Sequence, residues 1–196
     1  MRERAAFRVR NDVLPPETVA ALLDYVRTNE ARFAPATVRS GAEPAVNTAV
    51  RVSSLLRDLG PFRCVFEDLL RPLAADFTSA FGMPPFAASR FELELAAHND
   101  GAFFMRHIDT MWDAQARSGR ILSGVYYFHG SPKGFEGGHL RLHTGLPPHV
   151  DVAPAHNSLA FFPSWLAHEV MPVRCASGRF ADSRFAVNCW VHGSAP

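Results

Sequence analysis

Phe103-Phe104-Met105-Arg106-His107-Ile108-Asp109 is an aromatic run that ends on a histidine and a carboxylate two positions apart. On a strand, residues i and i+2 face the same way, so His107 and Asp109 can offer an imidazole nitrogen and a carboxylate oxygen to one metal ion. A second histidine from a distant strand completes a 2-His-1-carboxylate set. That set leaves coordination positions open and suits non-haem Fe(II). His168 is the candidate, because it lies far enough along the chain for several strands to intervene. A triad assembled this way asks for a β-barrel or sandwich.

The motif alone is weak, since His-x-Asp occurs at His98-Asn99-Asp100, His107-Ile108-Asp109 and His149-Val150-Asp151. The first copy runs into Gly101, and Asn-Asp-Gly reads as a turn. The third lies too close before His168 to leave room for more than a hairpin. Only the middle copy has both strand context and enough intervening chain.

The flanking texture agrees. From Phe91 onward the chain reads as short strands separated by Gly and Pro, including Phe91–Leu95, Ile121–Phe128, His139–His143, Asn157–Phe162 and Arg184–His192. Many short strands with regular turn signals predict a sandwich or barrel, with a jelly-roll closure. Before them, residues 7–13 suit a short strand. Pro15-Pro16-Glu17 opens a helix carrying Val19, Leu22, Leu23 and Val26 at helical spacing. A second stripe, Phe66, Leu69, Leu70, Leu73, Phe77 and Phe81, is interrupted by Pro72, which should kink or divide the helix. Residues 34–50 show no periodicity and read as a loop long enough to act as a lid over the substrate. The expectation is one domain over residues 1–196: a helical lead-in over 1–90 and a jelly-roll core over 91–196.

Composition narrows the function classes. The chain has 196 residues, is 47% hydrophobic with 16 Phe, and carries a formal charge of +1, so it gives no electrostatic case for nucleic acid. Cys64, Cys175 and Cys189 are odd in number with no paired spacing, which fits a reducing cytoplasm better than a disulfide scaffold. The first ten residues lack the apolar stretch of a secretory signal, and no run approaches membrane-spanning length. A cytoplasmic protein without a membrane or nucleic-acid partner is expected; oligomeric state is left open.

The last strand adds an anion anchor. Phe185, Val187, Cys189 and Val191 form one apolar face, and Arg184, Ala186, Asn188, Trp190 and His192 form the other. A guanidinium on a cavity-lining face is costly to bury without an anionic partner. Its planar fork matches a carboxylate, so Arg184 is suited to hold a dicarboxylate whose other end chelates the metal.

Taken together, the segments from Gly101 to Asp109, Ser123 to Phe128, Gly137 to Leu142, Phe162 to Val173 and Arg184 to Trp190 resemble, in this order, the Fe(II)/2-oxoglutarate-dependent dioxygenases. The resemblance is to their prolyl-4-hydroxylase-like branch, and it implies a double-stranded β-helix (jelly-roll, cupin-like) core supported by N-terminal helices. It implies that His107, Asp109 and His168 ligate iron, that Arg184 pairs with the distal carboxylate of 2-oxoglutarate, and that the Tyr127 hydroxyl assists. His98 falls near where relatives carry a Tyr and is assigned to the same cosubstrate. Arg120, Trp190 and Trp112 are the candidates for substrate contact. The implied cofactors are Fe(II), 2-oxoglutarate and O2, with ascorbate as activator. The implied reaction hydroxylates a C–H bond of an amino-acid-type or peptide substrate and releases succinate and CO2. Related halogenases replace the carboxylate ligand, so Asp109 favours hydroxylation. The rival readings are a non-oxidative cupin-like protein that binds metal and carboxylate, a binding module that has lost its chemistry, and a hydroxylase tailoring small natural products. The remaining histidines, His129, His139, His143, His149 and His156, lack the rest of a tetrahedral zinc set.

Overall fold

The computed structural model describes residues 6–39, 43–113, 118–145 and 148–194. In chain order run β1 (Arg8–Asn11), α1 (Pro16–Thr28), β2 (Arg51–Val52), β3 (Ser54–Leu56), α2 (Phe62–Ala80), β4 (Ala88–His98), β5 (Phe103–His107), β6 (Ser118–Phe128), β7 (Leu140–Leu142), β8 (Val150–Val152), β9 (Ser158–Pro163), β10 (His168–Val170) and β11 (Arg184–Ser194), with shorter strands between them. The larger sheet is ordered β1-β9-β6-β11-β4-β3 and ends on Ala34–Pro35; Trp112–Asp113 also pairs with β6. The smaller sheet is ordered β8-β7-β10-β5-β2. Neighbours within each sheet pair antiparallel and are mostly distant in sequence, the connectivity of a jelly roll.

Strand alternation sorts the core into two layers. Phe185, Val187, Cys189 and Val191 of β11 are fully buried on the face that meets the helices. From the other side, α1 supplies Leu22 and Val26, and α2 supplies Phe66, Leu70 and Phe77. Phe66 meets Tyr126 edge-on at 5.2 Å, and Phe77 stacks on Phe161 at 4.4 Å. Each such side chain contributes about 1.5–3 kcal/mol on burial, so the helices stiffen the back of the larger sheet. Its opposite face carries Tyr127, Ala160, Phe162 and Ala186, which pack against Leu140, Leu142 and Val152 of the smaller sheet. The cavity opens between the two sheets.

Three local expectations need correction. Pro72 does not divide α2, which runs unbroken from Phe62 to Ala80. Pro72 is exposed while Leu70 and Leu73 on either side are buried, so burial of the apolar stripe outweighs one lost backbone bond. The stretch 34–50 is not a free loop: Ala34–Pro35 pairs with β3, and Val38–Arg39 pairs with Pro44–Ala45. Residues 40–42 lie outside the described residues. Finally, β5 stops at His107, so Asp109 stands just beyond the strand. Elsewhere the turn at Asn99-Asp100-Gly101 forms, with Gly101 at φ 71° and the Asp100 carboxylate accepting from the Cys175 amide at 2.8 Å. Among the described residues no helix is long and apolar enough to cross a membrane.

Candidate metal and carboxylate site

Register brings the two distant histidines together. His168, first in β10, lies directly opposite His107, last in β5, and their ring centres are 4.2 Å apart. Each ring donates from Nδ1 to a backbone carbonyl two residues earlier, His107 to Met105 and His168 to Leu166, both at 2.8 Å. This turns both Nε2 atoms toward Asp109, at 3.6 Å from Oδ1 for His107 and 3.5 Å from Oδ2 for His168. One ligand atom from each of the three residues falls within 4.8 Å of the others. Among the described residues this is the single cluster able to hold a metal in this way.

Asp109 is placed by its backbone and by a hydroxyl relay. Its amide and that of Thr110 donate to the Ser164 carbonyl at 2.9 and 3.1 Å. Ser123 of β6 donates to Oδ2 at 2.8 Å and lies 2.9 Å from the Ser164 hydroxyl. Burial opposes ionisation of Asp109, but the two histidines and the Trp190 indole outweigh it and hold the carboxyl below its usual range. Burial also lowers the pKa of His168, against the pull of Asp109, which favours the neutral ring a metal needs. Other candidate ligands are occupied elsewhere. Asp151 takes both prongs of Arg141 at 2.7 and 2.8 Å, and His143 pairs with Glu169 at 3.0 Å.

A second donor set lies deeper in the same cavity. Arg184 is 1% exposed and pairs in register with His98 across β11 and β4. Its Nε donates to the Gly138 carbonyl at 2.8 Å. Gly138 has φ 67°, and a Cβ there would stand 2.6 Å from Arg184 Cδ, so glycine permits this approach. Arg184 Nη1 lies 3.3 Å from His98 Nδ1. A guanidinium only donates, so His98 accepts at Nδ1 and carries its proton on Nε2. Burial, then the charges of Arg184 and Arg51, keep His98 neutral. Tyr127 sits under the guanidinium at 4.8 Å, and burial pushes its phenol up to about 12. Among the described residues, the buried side-chain polar atoms left without a partner are His98 Nε2, Tyr127 Oη and Arg184 Nη2. All three can donate, so the set fits the oxygens of a carboxylate.

The remaining candidates fall differently. Trp190 is 9% exposed and lines the cavity with the triad. Arg120 is not in that lining: its fork closes on Glu92 at 3.1 and 2.6 Å, and it stacks 3.9 Å over the Trp190 ring. With Nε and Nη2 engaged by Glu92, Arg120 holds Trp190 in place and does not itself line the cavity. The Trp112 backbone pairs with Gly119 of β6, and its side chain lies outside the described residues. Arg51 was missed by the sequence reading. It lines the cavity from β2, and its place depends on pairing of β2 with β5 at Phe103 and Phe104. No local pattern announces a two-residue strand.

Residues 93–192 match the family described as the 2OG-Fe(II) oxygenase superfamily. An uncharacterised PKHD-type hydroxylase of Synechocystis sp. is 41% identical over 116 residues, covering 55% of this chain and 38% of that protein. The chain thus spans well under half the length of that relative. A prolyl-4-hydroxylase structure from Pseudomonas putida shares the fold with a TM-score of 0.68 and 23% identity, over 97% of this chain and 94% of that one. A prolyl hydroxylase of Trichoplax adhaerens, in complex with a hypoxia inducible factor peptide fragment, has a TM-score of 0.69 and 21% identity, over 95% and 83%.

Proposed function

Because the chain belongs to the 2OG-Fe(II) oxygenase superfamily, an Fe(II)-, 2-oxoglutarate- and O2-dependent family of enzymes, we propose that it hydroxylates a C–H bond of an amino-acid-type substrate and releases succinate and CO2. That substrate is a prolyl residue of a peptide or protein, or a free or carrier-tethered amino acid. The observation that carries this reading is the convergence of two donor sets in one cavity, the His107-Asp109-His168 cluster and the unpartnered nitrogens of Arg184 and His98, with the Tyr127 hydroxyl beside Arg184.

In this reading the triad holds the iron, and Arg184, Tyr127 and His98 hold 2-oxoglutarate. When bound, iron and cosubstrate supply dioxygen activation coupled to oxidative decarboxylation. The chain's own residues do the rest. The Met105 and Leu166 carbonyls fix the ring tautomers of the two histidines. Ser123 orients Asp109, and Arg120 braces Trp190 against the cavity. Arg184, pinned through Nε, presents Nη2 to the distal carboxylate. The walls of Phe162, Leu140 and Leu142 keep the anchor dry, which strengthens each charge-assisted bond.

The peptide bound to the Trichoplax adhaerens enzyme supports a peptide or amino-acid substrate for a chain of this fold. The test supplies prolyl peptides and free amino acids with Fe(II), 2-oxoglutarate, ascorbate and air. Substrate-stimulated succinate together with a mass gain of one oxygen supports the assignment; stimulation by methylated nucleic acid alone would overturn it.

A further inference from the structure

One cation in the cavity has only a long, shared ion pair. Arg51 lines the same cavity as the metal cluster, and its side chain is 10% exposed. Its Nε donates to Ser53 Oγ at 2.9 Å, and its guanidinium lies 4.7 Å over the Phe104 ring. Phe104 in turn stacks on the His107 imidazole at 3.6 Å, so the cation sits one aromatic ring away from the metal cluster. Its two terminal nitrogens make no hydrogen bond to a described residue. Its ion pair with Glu94 is long, with Nη2 standing 3.7 Å from the carboxylate. Glu94 is also shared, lying 3.8 Å from Arg57 and 3.5 Å from the Asn188 amide. Burial raises the Glu94 pKa despite these partners, which weakens its hold on Arg51 further.

The charges around the site sharpen the question. A divalent metal and dianionic 2-oxoglutarate held here would balance the charges of Asp109 and Arg184, with both cosubstrate carboxylates engaged. Arg51 is left with a distant share of Glu94. A buried guanidinium without a hydrogen-bonded anion is costly, and its flat fork selects a carboxylate.

We infer that Arg51 is a specificity-determining residue that binds a substrate carboxylate, which makes the substrate an acid with a free carboxylate beside the hydroxylated carbon chain. This rests on the hydroxylase reading above and narrows it, from amino-acid-type substrates in general to free amino acids or chains ending in a free carboxylate. Phe104 sets the spacing: it fixes the guanidinium against the metal-binding ring, so an anchored acid presents its chain to the metal.

The experiment uses full-length protein loaded with Zn(II) and 2-oxoglutarate. It titrates free amino acids and prolyl peptides calorimetrically, each acid beside its carboxamide. At least one acid should bind, and its amide should bind about 30-fold more weakly, the cost of losing one partner of a desolvated charge pair. In Arg51→Gln the acid should fall to the level of its amide; Arg51→Lys should recover part of the difference by keeping the charge without the fork. Circular dichroism and Zn(II) binding check that the variants are folded. Equal binding of acid and amide by the parent protein, which needs no variant, overturns the inference, as does binding of no acid in the panel. So does a loss of 2-oxoglutarate affinity in Arg51→Gln, which would assign the residue to the cosubstrate. Succinate formation separates the two levels. If the parent protein forms succinate but does not distinguish acid from amide, the Arg51 inference alone falls; if it forms none, the hydroxylase reading falls.

Discussion

Arg184 Nε is spent on Gly138 and Nη1 faces His98, while Nη2 has no partner. A side chain this deeply buried is positioned for a ligand oxygen and not for solvent. Arg184→Ala should therefore weaken 2-oxoglutarate binding about 30-fold or more, since losing a desolvated charge-assisted pair costs on the order of 2–5 kcal/mol. Metal affinity should change little, and paired titrations of metal and cosubstrate separate the two. Tyr127 makes a sharper test because its hydroxyl is also unpartnered. Tyr127→Phe removes a buried, unsatisfied donor and should stabilise the ligand-free protein by about 1 kcal/mol while weakening 2-oxoglutarate severalfold. Denaturation without ligand and titration with it should move in opposite senses. A ligand-free Tyr127→Phe protein that is destabilised would mean that the hydroxyl already has a partner.

The eleven-residue strand Arg184–Ser194 shows at element scale what alternation can decide. Its apolar side went to the helices and its mixed side to the cavity, as period two dictates, because both faces of the strand are buried against something different. The long amphipathic helices were readable for the same reason. Short elements were not. The strand Arg51–Val52 exists only through its register with β5, and a two-residue pairing leaves no periodic trace. Pro72 was misread because a helix breaker weighs heavily in a local argument, whereas the flanking leucines are held by tertiary burial. Pro72→Ala should accordingly stabilise the protein by about 2 kcal/mol, less what proline gained by stiffening the unfolded chain. Urea denaturation measures this; a loss of stability would show that the proline fits α2 without strain.

Over the whole molecule, the helices back the larger sheet and the two sheets enclose one cavity holding both donor sets. The metal cluster was legible because its ligands keep a fixed local spacing and a strand approach. Arg184 was legible because an arginine interrupts a cavity-facing pattern. Arg51 and the Ser123–Ser164 relay were not, since both arise from contacts between strands far apart in sequence. A metal bound only by the folded cluster should raise stability by about 2.7 kcal/mol at a hundredfold excess over its dissociation constant. His168→Ala should lose that increment, which thermal unfolding with and without anaerobic Fe(II) reads directly. The central claim is that one cavity joins this metal cluster to the Arg184 anchor for oxidative chemistry. Its most direct test is succinate formation by the purified protein with Fe(II), ascorbate and 2-oxoglutarate in air, with and without candidate acids and peptides. Succinate should form, require both iron and 2-oxoglutarate, and disappear in Asp109→Ala; no succinate under any of these conditions, or undiminished succinate in Asp109→Ala, would contradict the claim.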